Sequence, residues 1–255
     1  MCTAGFLGVT PRRRPAYSPR ERAGAGCDRG TLRGVDVRSV LADVAGLGPF
    51  FTLGVGPGER PLSDPEPVRD RIAHVGAALG AGERVAASLA FQGFAAQLVS
   101  APYAAAVLHR AVPDLSPSSV RWSRSADGTW ALHTDATALV GGSALPALLT
   151  GLLAPMVAAF RGQVPVAGRL LWGNAASAVA AAKRLLVVQR PAATVRAAEL
   201  AEAVLAHGSF AGAGELLPPR DPDLVWTFRR RSCCLYYRVP GGGLCDDCVF
   251  SPRGP

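Results

Sequence analysis

The chain has 255 residues, enough to bury a substantial core without covalent or metal staples, since a chain of this size buries roughly 70–75% of its unfolded surface. Its formal net charge is +8, yet Lys183 is the sole lysine among 27 basic residues, and outside 12–22 and 229–231 the arginines stand singly rather than interleaved with aromatics, so a nucleic-acid interface is not expected. The start, MCTAGFLGVTPRRRPAYSPRERAGAG, places arginines after a short apolar piece and has no long apolar core; it does not read as a secretory signal, and thiols in a reducing compartment point to metal ligation or catalysis more than to disulfides.

In chain order, residues 1–30 are rich in Pro, Arg and Gly without apolar periodicity and read as a disordered tail. Asp36 is a helix cap, followed by Val37, Val40, Leu41 and Val44 at helical spacing, with Gly46 and Gly48 ending the segment. The turn-rich stretch from Gly54 to Pro67 reads as a loop. Helices follow near 66–80 (Val68, Ile72, Val75, Leu79), 84–99 and 102–111. In SVRWSRSADGTWALHT, Val120 and Trp122 alternate with polar residues, Asp127-Gly128 supplies a turn, and Trp130 and Leu132 alternate again: a β-hairpin.

Three more helices are expected at about 143–160, 171–188 and 194–207, the last capped by Thr194 and stopped by Gly208. Ala136 to Phe160 carries no charge and meets the length of a membrane span, but Gly141, Gly142, Pro146, Gly151 and Pro155 within it favour a buried or peripheral helix. Residues 209–225 form a Gly/Pro/Asp-rich connection, and no internal repeat is evident.

Four of the six cysteines then crowd into RRRSCCLYYRVPGGGLCDDCVF, as Cys233-Cys234, ten residues, Cys245, two residues, Cys248. The Cys-x-x-Cys half suits a metal, because neighbouring thiolates on a tight turn can meet one ion. The first half departs from a zinc ribbon, which would set two Cys-x-x-Cys knuckles face to face. Adjacent cysteines direct their side chains apart, which a two-iron, two-sulfide diamond with two terminal positions on each iron accommodates more readily than a single ion. Two disulfides and a structural zinc remain alternatives to the 2Fe-2S cluster. Pro240 and Gly241-Gly242-Gly243 between the pairs form a turn able to aim backbone N–H groups at cluster sulfurs.

This spacing resembles that of the ferric-siderophore reductases of the ferric-hydroxamate-uptake type, the FhuF-like family, with Cys233, Cys234, Cys245 and Cys248 in register. Upstream, LLWGNAASAVAAAKRLL (170–186) is similar to the helix these proteins carry before the cysteine module, with Trp172, Gly173 and Asn174 its recognisable part. The resemblance is specific over the last 25 residues, looser over 165–190 and general elsewhere. It implies a cytoplasmic protein, at the inner face of the membrane or in peripheral contact with it, that reduces the iron of a ferric siderophore, hydroxamate-type favoured. The four cysteines would ligate the iron of a 2Fe-2S cluster. The fold class expected is α+β: a mostly α-helical body over 31–215 with a β-hairpin or small sheet, and a short C-terminal cysteine-rich iron–sulfur module over 216–255.

Arg229, Arg230 and Arg231 either offset cluster charge and attract an anionic chelate or form a solvated charge run. Trp172 and Asn174 are candidate substrate contacts, with helix packing the alternative; Gly173 would let another element approach closely. Tyr236 and Tyr237 either stack on a ligand or pack, while Asp246 and Asp247 are expected to face solvent. His74, His109, His133 and His207 lie on different elements and do not read as ligands. Cys2 and Cys27, in the tail, read as free thiols. No G-x-G-x-x-G follows a strand and no lysine ends a glycine-rich loop, so electrons would come from an outside donor such as a ferredoxin or a reduced flavin system. The rival reading is a non-catalytic metal-binding or sensing protein with a structural zinc or a regulatory cluster.

Overall fold

Asp36 begins the helical body as its sequence indicates: its carboxylate accepts the Ser39 N–H at 2.7 Å, and helix α1 (Val37–Ala45) buries Val37, Val40, Leu41 and Val44. The structure, a computed structural model, describes residues 36–124, 130–220 and 225–251. The tail with Cys2 and Cys27, and the Asp127-Gly128 turn, lie outside the described residues. Helix α2 (Pro65–Leu79) starts on the Asp64 side chain and ends at Gly80, whose φ of 57° is the left-handed conformation that glycine adopts without penalty.

Helix α3 (Glu83–His109) corrects the expectation of two helices at 84–99 and 102–111. Pro102 removes one donor and crowds the preceding turn, a penalty that would end an isolated helix. Here the residues on both sides, Leu98 to Val107, are buried, and tertiary packing holds the helix continuous. It is the central element, with α2, α4 and α5 all packed on it.

The hairpin exists but is the middle of something larger. Strands β4 (Val120–Arg124) and β5 (Trp130–Thr134) pair antiparallel with Trp122 opposite Leu132. The stretch read as a loop contributes β1 (Gly54–Val55), parallel to β5, and β2 (Arg60–Pro61), antiparallel to β4, giving the order β1-β5-β4-β2. Strands this short carry no alternation a sequence reader can detect. Trp122 pins the sheet to α3: it is fully buried, its indole N–H donates to the Leu62 carbonyl at 3.0 Å, and its ring stands 4.5 Å from that of Phe94. A second pair joins β3 (Ala111–Pro113) to β6 (Leu139–Gly141).

Helix α4 (Leu145–Gln163) directs Leu149, Leu152, Leu153, Met156 and Phe160 into the core, where Phe160 meets Phe91 edge-on at 5.3 Å. Two segments, Glu83–His109 and Gly142–Gln163, are long and apolar enough to cross a membrane by length and composition. Within the molecule 72% of the first one's apolar window is buried and 39% of the second's; the exposed residues of α4 are small up to its last turn, Ala147, Gly151 and Ala154 among them, where Arg161 is exposed.

Helix α5 (Gly168–Gln189) lies along α3 and is buried for most of its length. Helix α6 (Thr194–Leu205) is not capped by Thr194. A short 3-10 turn at Pro191–Ala193 precedes it, and the Thr194 hydroxyl donates to the Pro191 carbonyl. The connection over 209–225 contains β7 (Gly214–Leu217), paired antiparallel with β8 (Thr227–Arg230). Trp226, Phe228, Leu235 and Val239 join the same hydrophobic core as the helices, so the cysteine segment shares its packing with the helical body.

The phenol of Tyr103, fully buried on α3, donates to the Ala197 carbonyl on α6. Tyr103→Phe is expected to lower unfolding free energy by about 1 kcal/mol with no change in the folded far-ultraviolet spectrum, measured by urea denaturation.

Candidate metal centre

The cysteine segment leaves β8 and is bound to α5 along one face. Asn174, Ser177, Ala181 and Arg184 are spaced at three, four and three residues, one stripe of the helix facing the thiols. Arg230, at the end of β8, is 1% exposed. Its guanidinium donates to the Asn174 side-chain oxygen, to the Leu170 carbonyl at 3.3 Å and to the Ser232 carbonyl at 3.0 Å. Asn174, itself fully buried, donates to Ser88 on α3, and the Ser88 hydroxyl donates to the Cys234 carbonyl at 2.7 Å. An unbroken chain of hydrogen bonds therefore runs from Arg230 through two helices to the backbone of a thiol residue.

Other contacts close the seam. The Ser232 hydroxyl donates to the Arg169 carbonyl at 3.0 Å, and the buried Lys183 ammonium donates to the Trp226 carbonyl. A methyl group added at Gly173 would lie 2.3 Å from the Ser232 oxygen, so only glycine permits this approach.

Two expectations for this region are corrected. Arg230 and Asn174 have no surface to offer a soluble ligand; they brace the module. Arg229 pairs with Glu215 across the β7–β8 hairpin at 2.9 Å, and Arg231 alone of the three arginines is exposed. Alternation along a strand explains the pattern, since neighbouring side chains point to opposite faces. Trp172 packs edge-on against Phe210 at 5.2 Å, away from the Arg230 side of the helix.

The four thiols are gathered at one end of this seam. Cys234 and Cys248 are buried, at 3% and 4% exposure, whereas Cys233 and Cys245 are half-buried. The Cys234 and Cys245 sulfurs stand 3.5 Å apart. Two thiolates on one tetrahedral metal with bonds of ~2.3 Å would be about 3.8 Å apart, so the pair is close to a chelating position. Among the described residues, no three His, Cys, Asp or Glu side chains converge on one ion position.

Backbone geometry serves the sulfurs. Leu235 takes a left-handed φ of 70°, costly for a branched side chain, and its N–H thereby reaches the Cys233 sulfur at 3.3 Å. The Phe250 N–H reaches Cys248 at 3.4 Å, and Cys248 N–H closes the Cys-x-x-Cys turn on the Cys245 carbonyl. The glycines at 241–243 were expected to supply such donors. Instead Gly242 N–H turns inward to Val239, with Gly241 left-handed beside it.

Electrostatics follow the same arrangement. The hydrogen bond between the Cys234 and Cys245 sulfurs brings the Cys234 pKa down to about 6 against the effect of burial, with the Tyr236 amide and Arg230 acting in the same direction. Cys245 is raised by the same hydrogen bond, with burial acting in the same direction. Burial raises Cys233.

Asp246 projects into solvent as expected. Asp247 does not: it is buried, its carboxylate 3.4 Å from Arg184, and burial raises its pKa while Ser177 and Arg184 oppose the rise. Arg230 has no carboxylate in ion-pair contact among the described residues, and its Nη1 has no hydrogen-bond partner. A buried cation left so is unfavourable unless anions lie beside it, and a thiolate-ligated 2Fe-2S cluster is anionic. The donor set of four thiols, the close Cys234–Cys245 pair and the orphaned guanidinium nitrogen all fit that group. Tyr236 and Tyr237 are exposed rather than packed in the core, Tyr237 meeting Phe250 edge-on at 5.7 Å. Ser88, Lys183 and Arg184 were not singled out from sequence; only the α5 stripe carried a signal for Arg184.

Asn174→Ala strands both Arg230 and Ser88 and is expected to cost about 2–4 kcal/mol by urea unfolding. Gly173→Ala should push the module off α5, read as faster reaction of buried Cys234 and Cys248 with a thiol reagent.

Residues 230–250 match the family model described as the FhuF 2Fe-2S C-terminal domain. No curated protein matches the chain. The match supports an FhuF-like family and a 2Fe-2S cluster as the cofactor of this segment.

Proposed function

We propose that the chain is a one-electron ferric-siderophore reductase acting in the cytoplasm, at or near the inner face of the membrane. The observation that carries this reading is the asymmetry of the thiols: Cys234 and Cys248 are buried against the body, while Cys233 and Cys245 reach the surface. A purely structural centre has no need of an exposed edge, whereas an electron carrier does. Bound by Cys233, Cys234, Cys245 and Cys248, the 2Fe-2S cluster supplies a one-electron carrier.

The chain's own residues set the conditions for that carrier. Arg230 holds a positive charge beneath the thiolates, and the Leu235 and Phe250 amides donate to sulfur; both favour the more negative, reduced state. Burial of Cys234 and Cys248 keeps water from one side. Substrate iron, once reduced from Fe(III) to Fe(II), competes poorly for the hard anionic oxygens of the chelator and leaves it intact. The electron comes from an external donor, a ferredoxin or a reduced flavin system.

Anaerobically purified protein is expected to show visible absorption that bleaches on reduction and returns on adding a ferric trihydroxamate. Cys245→Ser should abolish the colour and the reductase activity together. A colourless protein with one zinc per chain overturns the reading and favours a structural-zinc binding protein.

A further inference from the structure

A cleft of about 290 Å³ opens directly beside Cys245, between α3 and α5. Its walls are small and apolar, Ala96 from α3 and Ala178 and Ala181 from α5, and Cys245 itself forms part of the lining. Two large apolar side chains at its edge are exposed, Phe50 at 48% and Leu185 at 43%. Exposed apolar groups rimming a concave site mark a ligand surface more often than a bare one.

Most polar groups lining the cleft are paired with one another, Arg184 with Asp246 and Asp247 among them, but one is not. The Gln92 side-chain oxygen is buried with no hydrogen-bond partner. The Ser177 hydroxyl is turned toward Asp247, whose carboxyl it holds down against the effect of burial. A buried amide oxygen left unpaired at an apolar recess is complementary to an N–H donor on an aliphatic chain.

Charge narrows the class of ligand. Arg184 lies at the cleft but is engaged by Asp246 at 3.8 Å and Asp247 at 3.4 Å. With the thiolates of the neighbouring centre, the mouth carries no surplus of positive charge. A tris-catecholate complex of ferric iron is trianionic and would meet like charge; three singly charged hydroxamates around ferric iron give a neutral complex. The volume lies at the lower end for ligand pockets, suiting one edge of a chelate rather than the whole.

Resting on the reductase reading above, we infer that this cleft, through Gln92, Ser177, Ala181 and Phe50, seats one amide-bearing aliphatic edge of a neutral ferric chelate against Cys245. The seat places the chelate's iron beside a cluster ligand, with no intervening protein layer.

Gallium(III) matches ferric iron in charge and size but does not accept an electron, which separates binding from reduction. Calorimetric titration of the cluster-loaded protein with the gallium complex of desferrioxamine E, a neutral cyclic trihydroxamate, is expected to give one site. Ala181→Phe fills the cleft and should weaken that binding by about tenfold or more, with the visible spectrum unchanged. Phe50→Ala, at an exposed position that leaves the core intact, should weaken it by about threefold. The trianionic gallium–enterobactin complex should bind about tenfold more weakly than the neutral one.

Absent binding, or binding unchanged in both variants, overturns the cleft assignment, and in the second case reoxidation of the cluster by the ferric chelate would leave the reductase reading standing. Cleft-dependent binding without such reoxidation has the opposite meaning: the seat is right and the reductase reading fails.

Discussion

A single buried cation organises the functional end of this molecule. Arg230 is withdrawn from water, held by Asn174, Leu170 and Ser232, and acts electrostatically on both the thiols and the buried Asp247 carboxylate, with which it forms no ion pair. Burying a guanidinium is costly unless anions compensate it, so the Arg230 site and the thiolate site stabilise each other. Around that pairing the remaining contacts make sense. Gly173 is bare because Ser232 must approach, Asn174 is buried because Arg230 needs an oxygen, and Ser88 links the network to the Cys234 backbone.

The same constraint orients the module. With Arg230 fixed to α5, Cys234 and Cys248 fall against the helices and Cys233 and Cys245 fall outward. Position on the body, not composition of the cysteine segment, decides which thiols meet solvent. Asp247 shows this most directly. It sits beside Asp246 in sequence, yet one carboxylate is exposed and the other is packed on Arg184 because the Cys-x-x-Cys turn rotates between them. The cleft beside Cys245 arises from the same docking, since its walls come from α3 and α5 and its end from the module.

Much of the local structure was legible from residues alone. The Asp36 cap, the apolar stripe of α1 and the alternation around Trp122 and Trp130 each express a short-range rule. Where local rules compete with packing, the reading failed in a consistent direction. Pro102 should break a helix and does not, because the residues on both sides of it are buried. Strands β1 and β2, two residues each, exist only because β4 and β5 present edges for them to pair with. The Arg229–Arg231 run looks uniform in sequence, but strand alternation and the seam with α5 send its members to three different environments.

What the sequence determined by itself was the chemistry of the centre: four thiols at a spacing that suits two metals, in a chain large enough not to need them for stability. Spacing is a covalent property and survives without knowledge of the fold. Only the tertiary structure decided the roles of the partners, assigning Arg230 and Asn174 to bracing rather than to substrate contact and placing Gln92, Ser177 and Phe50 beside Cys245. Apart from Arg230, those residues lie between about sixty and two hundred positions away along the chain from the thiols they serve. Proximity of that kind comes from helices burying their apolar faces against one another, and no local pattern records it.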